Sequence, residues 1–150
     1  MSEAREIRSG GEVREVLQTA RTVAVLGFNP QPDRPANFVP QYLHDAGYRV
    51  IPVNPGLAGR GWDFHGERTL ATLAEIGEAV DVVDVFRRPE SLPGHLEDIL
   101  AMRPAPKVVW LQSGIRNDAF AAALLEAGIS VVQDRCMLVD HRSMGLGRRA

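Results

Sequence analysis

The residues able to hold or change a small molecule fall in five short clusters, each at the end of an apolar run. Gly27-Phe28-Asn29-Pro30, with Arg34 just beyond, follows Val23–Leu26, and Asn54-Pro55-Gly56 follows Arg49–Val53. Arg87-Arg88-Pro89 follows Val82–Phe86, Gln112-Ser113-Gly114-Ile115 follows Val108–Leu111, and Asp134-Arg135-Cys136 follows Ser130–Val132. Glycines at 27, 56 and 114 let a ligand come close to the backbone. Asn29, Asn54, Gln112 and Ser113 offer neutral hydrogen bonds, and Arg34, Arg87 and Arg88 offer charge for phosphates. Gathered on one edge, such loops predict a binding site, although the pattern alone does not name its ligand. Taken singly, each Gly or Asn has the plainer reading of a turn former.

Two common nucleotide motifs are excluded. After Gly27 the chain runs Phe28-Asn29-Pro30-Gln31-Pro32-Asp33, without the later glycines of the dinucleotide pattern G-x-G-x-x-G. An NAD site also wants Asp or Glu at the end of the second strand for the ribose hydroxyls, and that place is Val53-Asn54-Pro55. No G-x-x-x-x-G-K-[ST] exists, and Lys107, the one lysine, precedes a strand. Covalent chemistry has a single candidate, Cys136 as nucleophile with His141, five residues on, as base. Against it stands the buried packing role usual for cysteine. His44, His65 and His95 read as packing or surface residues.

The elements that must position these clusters follow from periodicity. The five apolar runs are short and Val-, Ile- or Leu-rich without clean alternation, as parallel strands covered on both faces are. Between them, Phe38, Val39, Tyr42, Leu43 and Ala46 form one stripe at helical spacing, ended by Gly47. Phe120, Leu124 and Leu125 form another, ended by Gly128. Leu92–Met102 predicts a third crossover helix with Pro93 in its first turn, and Thr69–Ile76 a shorter one capped by Thr69. Val13–Thr19 predicts an amphipathic helix ahead of the first strand. The fold class is α/β: a single Rossmann-like three-layer domain over residues 1–150, with a five-stranded parallel sheet. The expected strand order is 3-2-1-4-5, with 2-1-3-4-5 the alternative, and the ligand crevice falls where that order reverses. Residues 1–12 and 142–150 are expected as peripheral tails.

Composition sets the outer bounds. At 150 residues, 45% hydrophobic and 24% charged, the chain is of ordinary globular make-up. It has no apolar run near the ~20 residues that span a bilayer and no signal-peptide core in its first residues, so no membrane partner and a cytoplasmic site are expected. A net charge of −2 gives no electrostatic footprint for nucleic acid. One cysteine excludes an internal disulfide and a cysteine-built metal site.

At this point a resemblance is specific. Gly27-Phe28-Asn29-Pro30 with Arg34-Pro35, Val50-Ile51-Pro52-Val53-Asn54-Pro55, Asp84-Val85-Phe86-Arg87-Arg88-Pro89, Val109-Trp110-Leu111-Gln112-Ser113-Gly114-Ile115-Arg116-Asn117 and Asp134-Arg135-Cys136 occur in that order, each at a strand end. Together, over residues 15–141, they resemble the stand-alone CoA-binding domains, which are similar to the N-terminal CoA-binding domain of the succinyl-CoA synthetase alpha subunit. The resemblance implies coenzyme A as cofactor at the carboxyl edge of the sheet. Gly27, Phe28 and Asn29 would receive the phosphates, and Val53, Asn54 and Pro55 would lie toward the nucleotide end. Phe86, Arg87, Arg88 and Gln112, Ser113, Gly114 would form the other walls. The synthetase loop is richer in glycine and threonine than residues 27–33, and its phosphorylated histidine belongs to a second domain with no counterpart here.

The expected function is therefore a CoA or acyl-CoA binding module with no ligase active site of its own. Two alternatives stay open: a small acyl- or thiol-handling enzyme using Cys136, and a nucleotide-sensing subunit that joins a protein partner or a homo-oligomer. Arg87 and Arg88 also have a purely structural reading, as ion-pair partners of the 19 acidic residues.

Overall fold

The computed structural model describes residues 3–148. After helix α1 (Gly10–Thr19), strands and helices alternate: β1 (Thr22–Leu26), α2 (Pro35–Asp45), β2 (Arg49–Val53), a two-strand hairpin of β3 (Asp63–Phe64) and β4 (Glu67–Arg68), and β5 (Val82–Val85). Then come α3 (Leu96–Leu100), β6 (Val108–Leu111), α4 (Asp118–Glu126), β7 (Ser130–Val132) and α5 (Met137–Ser143). The five longer strands form one parallel sheet. Successive side chains along each strand point to opposite faces. Val23, Val25, Val82, Trp110 and Val132 thus enter one core with residues of α1, α2 and α5, while Ala24, Leu26, Val83, Val85, Val109 and Leu111 enter the other with α3 and α4. Two covered faces explain why the strands read as unbroken apolar runs. Among the described residues, no helix is long and apolar enough to cross a membrane.

The spatial order is β2-β1-β5-β6-β7, which in chain order of the five main strands is 2-1-3-4-5. The expected 3-2-1-4-5 is thereby corrected within the same fold class. Two local features decide it. The outer edge of β2 is occupied by Leu70, whose N–H donates to Pro52 O and whose carbonyl accepts from Asn54 N–H. The strand that follows is clamped to β1 instead, because the Asp81 carboxylate accepts from the Arg21 and Thr22 N–H groups at 2.8 and 3.0 Å. The order therefore reverses between β1 and β5, and the crevice opens there.

Both margins of the sheet carry extra pairing. On the β7 side, Ile7 N–H donates to Val131 O and Val131 N–H to Arg5 O, so residues 5–7 extend the sheet where a peripheral tail was expected. Pro52, which has no N–H, stands in the edge strand β2, where a proline costs least.

Two predicted helices take a different form. Thr69 is buried and donates to Trp62 O, closing the hairpin region, and a single 3-10 turn begins later at Leu73. Leu92–Met102 divides into a 3-10 stretch, Pro89–His95, and the short α3, because Pro93 lacks the N–H of a regular first turn. Helix α5 and the β3–β4 hairpin have no counterpart in the predicted elements.

One core residue is out of character. Asp84 in β5 pairs with Val25 on one side and Trp110 on the other, is fully buried, and neither carboxylate oxygen has a hydrogen-bond partner. Burial pushes its carboxyl well above the usual carboxylate range. A raised folded-state pKa gives stability that is complete below the unfolded value, about 3.9, and lost as pH rises toward and through the folded one. The variant Asp84→Asn cannot ionise. Its stability relative to the parent is expected to improve in urea unfolding as pH rises above about 4, and a difference independent of pH would refute a neutral Asp84.

Candidate functional site

An open cleft of about 820 Å³ crosses the carboxyl edge of the sheet and draws on the loops after all five strands. Of the residues predicted for the site, Gly27, Asn29, Arg34, Asn54, Phe86, Arg87, Arg88, Gln112, Ser113, Gly114 and Cys136 line it. Phe28, Val53 and Pro55 do not. Phe28 is buried edge-to-face on the Phe64 ring, 5.4 Å between centroids, Val53 is sealed inside β2, and Pro55 faces solvent.

The centre of the cleft is the crossing of the β1 and β5 loops. Gly27 adopts φ +93°, and a Cβ there would stand 2.7 Å from Phe86 O and 3.4 Å from Arg87 Nε. Glycine is required both by the dihedral and by the neighbour. The loop it opens has its amides occupied. Gly27 and Phe28 N–H donate to Val53 O, Asn29 N–H to Ala36 O, and Gln31 N–H to Asn29 Oδ1. The two asparagines are loop builders, as their plainer reading held: Asn54 donates through Nδ2 to Phe28 O and accepts Gly56 N–H at Oδ1. No carboxylate stands at the end of β2 to take ribose hydroxyls, so the geometry agrees with the sequence in disfavouring NAD.

The charged groups are in the opposite state. Arg87 Nε is buried without a hydrogen-bond partner, directly over Gly27. Among the described residues neither Arg34, Arg87 nor Arg88 joins an ion pair, whereas Arg5, Arg8, Arg49, Arg116 and Arg135 all do. The ion-pair reading of Arg87 and Arg88 is thus not realised. Nearby, burial and the positive charge of Arg87 hold the His95 imidazole below its ordinary range, against the opposing pull of Asp98. Arg34 Nε donates to Gln31 Oε1 at 3.2 Å, but all three guanidinium groups stand outside any ion pair among the described residues, and a cleft so lined is complementary to a phosphate-rich anion.

The far wall is built on β6 and β7. Gly114, at φ +81°, donates its N–H to Asp134 Oδ1 at 2.6 Å, which straps the two loops together. Trp110 Nε1 donates to Arg135 O, and the Arg135 guanidinium meets Asp140 at 2.8 Å, fixing the entry to α5. Cys136 is the last residue before that helix and lines the cleft. His141 lies about 140° further round the helix. It is buried, its Nδ1 is 2.8 Å from Tyr42 Oη, and its ring meets Tyr42 and Tyr48 edge-on. It lines no part of the cleft, so the Cys136–His141 pair is not assembled.

The apolar lining was not read from the sequence. Phe38 and Val39 from α2, Ile115, and Val139 from α5 complete the walls, and Phe38 and Val139 are 44% and 50% exposed. The helical stripe of α2 predicts Phe38 and Val39 alike as core residues, and only Val39 is buried. The place of Phe38 at the start of that stripe, next to the Gly27 loop, was the available signal.

The parallel sheet and its reversal-point cleft define a Rossmann-like α/β domain. The chain belongs to the CoA-binding domain family, whose sequence model matches residues 21–142. It is 39% identical over 133 residues to YneT of Bacillus subtilis, covering 89% of this chain and 94% of that protein. Among solved structures it is similar to a Thermus thermophilus protein with 49% identity and a TM-score of 0.84, over 91% of this chain and 99% of that one. A Pyrococcus horikoshii protein superposes with a TM-score of 0.82 and 32% identity, over 98% of this chain and all of that one.

Proposed function

We propose that the cleft binds coenzyme A, with the pyrophosphate at the crossing of Gly27 and Arg87 and the thiol toward Gln112 and Cys136. The observation that carries this reading is the Arg87 guanidinium, which lines the cleft over Gly27, outside any ion pair among the described residues. Arg34 and Arg88 add charge for the remaining phosphate oxygens. Because the amides of the Gly27 loop are occupied, that loop supplies space and the arginines supply the donors. Phe38, Val39, Phe86, Ile115 and Val139 give an apolar wall for the pantetheine arm. Coenzyme A, when bound, supplies a thiol that carries acyl groups.

The strand order supports the direction of the ligand. Along the sheet edge the loops follow as Asn54, Gly27, Arg87, Gln112 and Cys136, and adjacent strands stand about 4.8 Å apart. From the β1 loop to the β7 loop is then roughly 14 Å, a span suited to an extended pantetheine. Thermal unfolding tests the reading. Coenzyme A at a hundredfold excess over its Kd stabilises by about 2.7 kcal/mol, roughly 5–11 °C for a chain of this size. NAD and ATP at equal concentration are expected to do much less, and equal shifts for all three would reject the assignment.

A further inference from the structure

Gln112 holds an unusual position at the thiol end of the cleft. Its side chain is more than nine-tenths buried, at 4% exposure, yet it lines the cleft. Its Oε1 accepts the Met137 N–H at 3.2 Å, which fixes the amide so that Nε2 is the outward atom. Among the described residues Nε2 has no hydrogen-bond partner, and it is not one of their sealed, unanswered side-chain atoms, so it retains access to the cleft that Gln112 lines. A buried amide donor with no acceptor of its own calls for one from a ligand. The residue preceding Met137 is Cys136, whose thiol stands free in the same wall. One helical turn beyond it, half-exposed Val139 lines the same wall with an apolar surface.

We propose that the ligand at this end is an acyl-CoA thioester, and that its acyl group passes to Cys136. This rests on the coenzyme A reading of the cleft. A thioester matches the wall group by group: its carbonyl oxygen accepts from Gln112 Nε2, its carbonyl carbon faces the Cys136 sulfur, and a short acyl chain lies on Val139. A free thiol offers Nε2 no comparable acceptor. In the transfer, the Cys136 thiol loses its proton to water and its sulfur bonds to the carbonyl carbon. The bond from that carbon to the sulfur of coenzyme A breaks, and the departing thiolate takes a proton from water. No oxidant or reductant is needed. Gln112 Nε2 stabilises the oxygen that gains charge as the new bond forms, a contribution that in other enzymes reaches about a hundredfold or more.

The test is intact-mass analysis of the full chain after incubation with saturating acetyl-CoA and butyryl-CoA, with calorimetric titration of both thioesters and of coenzyme A alongside. One acyl group per chain is expected, released by hydroxylamine and absent from Cys136→Ser. Gln112→Glu keeps the acceptor for Met137 N–H and removes the outward donor wherever the new carboxyl is ionised, so rates are compared from pH 6 to pH 9. It should acylate at least tenfold more slowly at saturation while melting near the parent. Acylation by acetyl-CoA should exceed that by S-acetyl-pantetheine at equal concentration by about a hundredfold, since the nucleotide supplies the binding energy. Binding of the thioesters without an adduct, or equal rates for the parent and Gln112→Glu, would overturn the transfer and leave the coenzyme A site standing. No binding of any of the three would overturn both.

Discussion

Replacing Gly27 by alanine is expected to destabilise the protein by about 3 kcal/mol and to abolish coenzyme A binding. Two costs combine. A non-glycine residue at φ +93° is strained by roughly 1–3 kcal/mol. The added Cβ would also meet Phe86 O at 2.7 Å, and that oxygen belongs to backbone at the end of a central strand, so relief requires β1 and β5 to part. Overpacking of this kind costs about 1–3 kcal/mol. The melting temperature should fall by roughly 6–12 °C. The variant that does fold should bind coenzyme A at least a hundredfold more weakly, because the same displacement moves Arg87. A melting point within a degree of the parent, with binding intact, would show that the crossing is looser than its geometry implies.

Arg87→Met should have the reverse signature. Methionine keeps much of the apolar stem that packs beneath the guanidinium and removes a buried N–H that lacks a partner. Leaving such a group unanswered costs about 1–3 kcal/mol, so the ligand-free variant should melt at the same temperature as the parent or a few degrees above. Coenzyme A affinity should drop by one to two orders of magnitude, as for the loss of a charged hydrogen bond worth about 1.5–3 kcal/mol. Isothermal titration against differential scanning calorimetry separates the two effects. An affinity within twofold of the parent would place the phosphates elsewhere. The opposite signs expected at Gly27 and Arg87, neighbours in the same crossing, distinguish a residue that builds the site from one held in readiness for its ligand.

The layers of the fold were legible because each strand had to be apolar on both faces. The runs 49–53, 108–111 and 130–132 coincide with β2, β6 and β7, and β1 and β5 differ by one residue at an end. Gly47 and Gly128, at φ +101° and +86°, end α2 and α4 as their positions predicted. The order of the strands was not legible, since it depends on Leu70 filling the edge of β2 and on Asp81 clasping the start of β1. Both are single residues in a connection without periodicity. Helix α5 is too short for a stripe, and with it went Val139 and the turn that separates Cys136 from His141. The site clusters were legible because a parallel sheet delivers every strand to the same edge. Which of their polar groups are free was not. Asn29 and Asn54 look as available in the sequence as Gln112, yet only the folded contacts determine that Asn54 is engaged at both ends of its amide while Asn29 and Gln112 are engaged at the oxygen alone, and that of these two Gln112 is the buried one.

The extra pairing at the two margins of the sheet bears on self-association. An exposed edge strand is a template on which a second molecule can add its own strand, the usual first step of sheet-mediated aggregation. Here residues 5–7 lie along β7, while Leu70 and Pro52 leave the outer side of β2 with few open hydrogen-bonding groups. Continuous intermolecular sheets are thereby discouraged at both ends. Any assembly of this chain, with itself or with another protein, would join through helices and side chains, and the mouth of the cleft could stay open to solvent within it.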